Sequence, residues 1–125
     1  MKIIHTENSS QAIGPYSQAI SIDGWVYTSG VVGMRPDNSI AGDDIESQTH
    51  QVFSNLKAIL EASGCTLQDV VKATVYLADM DEFGKMNELY SSYMEGHEPA
   101  RSCVEVQRLP RDLRVEIDVV ARPSS

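Results

Sequence analysis

Cysteine is scarce in this chain, and so are bases. Only Cys65 and Cys103 occur among its 125 residues, too few for a disulfide framework. That usage suits a reducing compartment, and a cytoplasmic location is expected. Ten Lys and Arg face 18 Asp and Glu, a net charge of −8. A protein that wraps nucleic acid needs a cationic face for the phosphates, so no nucleic-acid partner is expected. An anionic membrane surface is disfavoured for the same reason. No apolar run reaches the length of a membrane span or a signal-peptide core, since "MKIIH" turns polar at once. His5, His50 and His97 are scattered without metal-ligand spacing, and no metal is expected. "DMDEFG" from Asp79 lacks the later ligands of a calcium loop. "GVVG" from Gly30 lacks the lysine and helix start of a phosphate loop. Repeats, low-complexity tracts and linkers are absent, so residues 1–125 are expected to form a single domain.

What is present is a regular alternation of strand and helix patterns. In "SQAISIDGWVYTSG" two short apolar runs flank Asp23-Gly24. A type I′ turn needs positive φ at both central residues, which Asp-Gly supplies, so Gln18–Ile22 and Trp25–Ser29 should pair. "RPDNSIAGDD" reads as loop. Ile45, Thr49, Val52, Phe53, Leu56, Ile59 and Leu60 then recur at three and four, which is one helix face. Asp43 or Asp44 suits its N-cap, and Gly64 its end. Val71, Ala73, Val75 and Leu77 alternate with Lys72, Thr74 and Tyr76, a half-buried strand. A second helix is expected over roughly Met80–Met94, with Asp79 and Glu82 spaced as a capping box and Gly96 beyond its end.

The closing stretch, "PARSCVEVQRLPRDLRVEIDVVA", reads as two strands and a turn. Alternation places Ser102, Val104 and Val106 on one side and Arg101, Cys103, Glu105 and Gln107 on the other. Val115, Ile117, Val119 and Ala121 likewise oppose Glu116 and Asp118. If the apolar sets face the helices, Arg101, Cys103 and Glu116 share the polar side of the sheet. One reading of that face is a solvated surface with cross-strand ion pairs. The other is a pocket for a small carboxylic acid. Arginine offers a planar fork that matches a carboxylate, and a tuned glutamate moves protons or positions water. The element order is β-β-α-β-α-β-β, an α+β fold with a mixed β-sheet and two helices on one face. The uncovered face must meet water or another subunit.

"IGPYSQA" (Ile13–Ala19), "TSG" (Thr28–Gly30) and above all "PARSCVEV…LP.D…VEIDVVA" resemble the RidA/YjgF family of reactive-intermediate deaminases. The likeness runs over about residues 3–122, in order. It implies a chorismate-mutase-like α+β homotrimer with three sites in clefts between subunits. The implied activity is hydrolysis of 2-imino acids, such as 2-iminobutanoate and 2-iminopropanoate, to 2-oxo acids and ammonia, without a cofactor. Carried over by motif, Arg101 would clamp the substrate carboxylate. The main chain at Cys103, with Glu116, would hold the attacking water, and Glu116 would shuttle the proton between enamine and imine. Tyr16, Ser29, Gly30 and Asn87 would line the substrate pocket. Cys103 has no neighbouring base in sequence, so a thiolate mechanism is the weaker reading.

Two positions depart from the family pattern. Val31 stands where Gln is common, and Glu98 stands where Phe precedes "PAR". Both fall close to the expected cleft, and an inward-facing Glu98 would repel a carboxylate. These departures sustain an alternative reading, a trimer that binds small carboxylates without turnover. A ribonuclease or translation inhibitor, an activity also attributed to relatives, is disfavoured by the charge and the lack of a His pair.

Overall fold

The Asp23-Gly24 signal marks where the chain first reverses. In the computed structural model, which describes residues 1–124, Asp23 and Gly24 take φ values of 51° and 82°. This positive-φ pair joins β2 (Ala19–Ile22) to β3 (Trp25–Thr28) in antiparallel register, Ile22 opposite Trp25. Two short strands escaped the sequence reading. β1 (Lys2–Ile4) pairs with β2, and β4 (Val31–Val32), inside "GVVG", pairs with the last strand.

The helix pattern holds. α1 (Ile45–Ala62) starts at Asp44, whose carboxylate accepts the Ser47 N–H at 2.8 Å, and gives way to Gly64 at φ 80°. Its Val52, Phe53, Leu56, Ile59 and Leu60 are buried against the sheet. Each such side chain contributes about 1.5–3 kcal/mol by leaving water. α2 is shorter than expected, Phe83–Met94, preceded by a tighter turn over Met80–Glu82. The capping box does not form. Asp79 accepts from Asp81 instead, and Glu82 takes Arg114 at 2.7 Å. Glu95 and Gly96, at φ 50° and 86°, end the helix.

β5 (Val70–Leu77), β6 (Ala100–Glu105) and β7 (Val115–Ala121) complete a seven-stranded mixed sheet of order β1-β2-β3-β7-β5-β6, with β4 also on β7. This corrects the sequence reading at its closing stretch. β6 and β7 are not a hairpin: β6 runs parallel to one side of β5, and β7 antiparallel to the other. α2 carries the chain over the sheet between β5 and β6, which is how parallel neighbours are joined. A bulge between Val70 and Lys72 leaves Val71 46% exposed, so Val71 departs from the inward row of Ala73, Val75 and Leu77.

The sides assigned to β6 are also reversed. Cross-strand neighbours share a face, and the registers set Cys103 beside Val75 and Ile117, and Arg101 beside Ala73 and Val119. All four of those partners are buried under the helices. Tyr76, Val104 and Glu116 form a row on the opposite, uncovered face. Arg101 and Cys103 therefore face the helix layer, and Glu116 does not. Val104, expected inside, is 43% exposed.

Three buried amides fix connecting segments, Asn55 and Gln48 the loop that leads into α1 and Gln18 the stretch between β1 and β2. Asn55 donates to the Val32 and Met34 carbonyls at 3.2 and 2.8 Å. Gln48 donates to the Gly42 carbonyl and accepts the Arg114 N–H, at 2.8 and 2.7 Å. Gln18 accepts the Thr6 N–H and donates to the Thr6 and Ser10 carbonyls. Buried backbone groups need such partners in place of water.

Candidate functional site

The helix repeat sets one wall. Asn87, Tyr90, Ser91 and Met94 fall at i, i+3, i+4 and i+7 of α2 and face one way. With Arg101 of β6 and the connection from Gly96 to Pro99 they line an open cleft of about 510 Å³. Arg101 is held firmly there. Its Nη1 donates to Asn87 Oδ1 at 2.7 Å. Its guanidinium carbon sits 4.7 Å from the centre of the Tyr90 ring and 5.5 Å from that of Phe83. Cation–π contact and a single amide bond fix the plane of the fork and leave most of its donors free. No carboxylate lies within ion-pairing distance of Arg101 among the described residues. A half-buried cation without a counter-ion is ready for an anionic ligand.

Cys103 lies two residues farther along β6 and packs against the core. Burial pushes its thiol above the usual range, and the nearby Arg101 charge only partly offsets this. A neutral thiol is a poor nucleophile. Tyr90 is also raised by burial, and its hydroxyl is buried with no hydrogen-bond partner among the described residues.

The other candidate residues lie away from this cleft, around Gly30 and Glu116. Ser29 donates its hydroxyl to the Ser17 carbonyl at 2.6 Å and its N–H to the Gln18 carbonyl at 3.0 Å. These bonds bind "TSG" to "PYSQ" and place Tyr16, half exposed, beside Ser29 and Gly30. The Glu116 carboxyl lies directly over Gly30: a Cβ there would stand 2.6 Å from Glu116 Cδ and would displace it. The Glu116 carboxyl is raised, first by burial and then by the charge of Asp118. Asp118 is raised by burial too, with the neighbouring Tyr76 hydroxyl opposing the shift. A carboxyl held above its ordinary range can give a proton as well as take one.

The structure thus brings Arg101, Asn87 and Cys103 together on the helix side. It brings Gly30 against Glu116, which faces the uncovered side, with Ser29 and Tyr16 around Gly30. It does not bring the two groups together, because β5, β6 and β7 separate them. The sequence reading missed Tyr90 and Phe83 as the aromatic seat of Arg101. Their spacing from Asn87 was the available signal, but core packing explained both rings equally well. Glu98 lines the same cleft as Arg101. Glu105 accepts the Met80 N–H at 2.8 Å and caps the turn before α2.

The family model for endoribonuclease L-PSP matches residues 6–123. A RutC family protein of Pyrococcus horikoshii is 49% identical over 121 residues, covering 96% of each chain. The mouse protein named 2-iminobutanoate/2-iminopropanoate deaminase is 46% identical over 122 residues, covering 96% of this chain and 90% of its own. The crystal structure of Escherichia coli TdcF with bound serine superposes with a TM-score of 0.94 at 38% identity, covering 99% of this chain and all of that one. With that similarity over nearly its whole length, the chain belongs to the L-PSP endoribonuclease family, the same family as RidA/YjgF.

Proposed function

We propose that this protein is an enzyme that hydrolyses 2-imino acids to 2-oxo acids and ammonia, at a site completed by two copies of the chain. The observation that carries the reading is the unpaired Arg101 fork, held by Asn87 over Tyr90 and open to the cleft. It suits a planar carboxylate. The name of the mouse relative, and the serine bound by the Escherichia coli relative, agree with a small amino-acid-like ligand.

Arg101 binds the substrate carboxylate and orients C2. Where the substrate arrives as an enamine, Glu116 gives a proton to C3 and the nitrogen lone pair closes the C=N bond. Water held by Glu116 and the Cys103 main chain then adds to C2 while a proton passes to the nitrogen. The resulting carbinolamine breaks its C–N bond, ammonia leaves, and the hydroxyl proton is lost as the C=O forms. An imine hydrolyses slowly in water unaided, so orientation and electrostatics supply the acceleration. Tyr16, Ser29 and the Gly30 backbone line the pocket on the Glu116 side.

Arg101 and Glu116 lie on opposite faces of one sheet, so both reach one substrate only if neighbouring copies meet. A cyclic trimer gives three equivalent sites of this kind. Intersubunit complementation tests the arrangement. Arg101→Ala and Glu116→Gln proteins are each expected to be inactive. When they are unfolded and refolded together in equal amounts, roughly a quarter of the sites regain both residues. Imine hydrolysis is read as the fall in semicarbazone formed when semicarbazide competes for an imine generated in situ. Mixtures that stay as inactive as the two variants rule out the shared site.

A further inference from the structure

We infer that Glu98 is a specificity residue that favours substrates with a positively charged side chain; this rests on the imino-acid reading above. Glu98 and Arg101 line the same cleft, three residues apart in sequence. An extended chain carries them at most about 10 Å apart at Cα. They do not neutralise each other, since no ion pair joins them. Arg101 is engaged by Asn87 and two aromatic rings, while Glu98 is exposed and makes no side-chain hydrogen bond among the described residues. The cleft therefore offers a fixed cation and a separate, unengaged carboxylate. A ligand with a carboxylate at one end and a cation at the other satisfies both.

Size supports this. The cleft, open to solvent, has a volume of about 510 Å³. A six-atom imino acid displaces on the order of six waters, about 180 Å³, which leaves room for a longer side chain. His97 lines the same wall, but its Nε2 already meets the Val70 carbonyl at 2.7 Å. The net charge of −8 adds a field that attracts cations and opposes a second carboxylate on the ligand. Imino acids from arginine fit this pattern, and those from aspartate or glutamate do not.

Calorimetric titration with 2-oxo acids, which share the carboxylate and need no turnover, tests the inference. 2-Oxo-5-guanidinopentanoate is expected to bind about tenfold more tightly than 2-oxohexanoate, a preference that shrinks as salt rises. Glu98→Gln should abolish the preference, and Glu98→Lys should turn it toward 2-oxoglutarate. Equal binding of the two acids by the parent protein, or a preference that survives Glu98→Gln, overturns the inference. If neither acid binds, the inference and the Arg101 clamp both fail. Hydrolysis of arginine- and alanine-derived imines is followed beside the titrations. If neither imine is hydrolysed faster but the binding preference appears, the deaminase reading fails and the role of Glu98 stands.

Discussion

Arg101→Lys separates the value of a planar fork from that of a bare charge. Lysine keeps the positive charge but offers a single ammonium where arginine offers parallel donors. In the parent, Asn87 occupies Nη1 at 2.7 Å and the Tyr90 ring lies 4.7 Å below the guanidinium carbon, so the free edge of the fork is set. In the proposed clamp the substitution removes one of two charge-assisted hydrogen bonds to the substrate carboxylate, each about 1.5–3 kcal/mol. It also frees the remaining ammonium to swing. The expected loss in kcat/KM for a neutral imine is about 10–100-fold, most of it in KM if orientation survives. Arg101→Ala should lose more, because the charge is gone too. The semicarbazide competition assay measures the loss, and a melting curve confirms that the fold persists. Retention of kcat/KM within about threefold in Arg101→Lys would refute a bidentate clamp.

Other outcomes follow from the same geometry. Gly30→Ala places a Cβ 2.6 Å from Glu116 Cδ, so the carboxyl must move; a roughly 100-fold fall in kcat is expected. Glu116→Gln should abolish turnover and raise the melting temperature. Burial lifts the Glu116 pKa, so the stability tied to its acid form is present below about 4.5, the ordinary value, and lost as pH rises through the folded value. The variant's advantage should accordingly be large at pH 8 and vanish toward pH 4 in a melting series; an advantage independent of pH would contradict the assignment. Cys103 should react with iodoacetamide at pH 8 more slowly than free cysteine, because burial raises its thiol pKa. Cys103→Ala should keep kcat within about fivefold of the parent, and a complete loss would restore the thiolate mechanism.

The parts of the fold that were legible are those set by local chemistry. Asp23-Gly24 dictates its own turn, and the α1 stripe dictates its own face. The pairing of β6 and β7 was not legible, because nothing within Pro99–Ala121 records that β5 lies between them. The facing of β6 failed for a related reason. Val104 looked like a core residue and Arg101 like a surface one. Yet α2 offers an aromatic seat for the guanidinium, while Val104 belongs to a face that no element of its own chain covers. β1 and β4 are too short to show alternation. The candidate residues were legible as members of motifs. Their division between two faces was not, since motifs carry no information about which side of a sheet they serve.

That division has an electrical consequence. Had β6 and β7 paired as a hairpin with Arg101 and Glu116 on one face, the two charges would have met and formed an ion pair; instead they stand on opposite faces with β5 between their strands. The layer of Val75, Ile117 and their neighbours, each fully buried, keeps them apart. The sheet acts as an insulator between two opposite charges carried by one chain. Each copy holds a cation and an acid that cannot discharge against one another at home, and so both remain available for a guest.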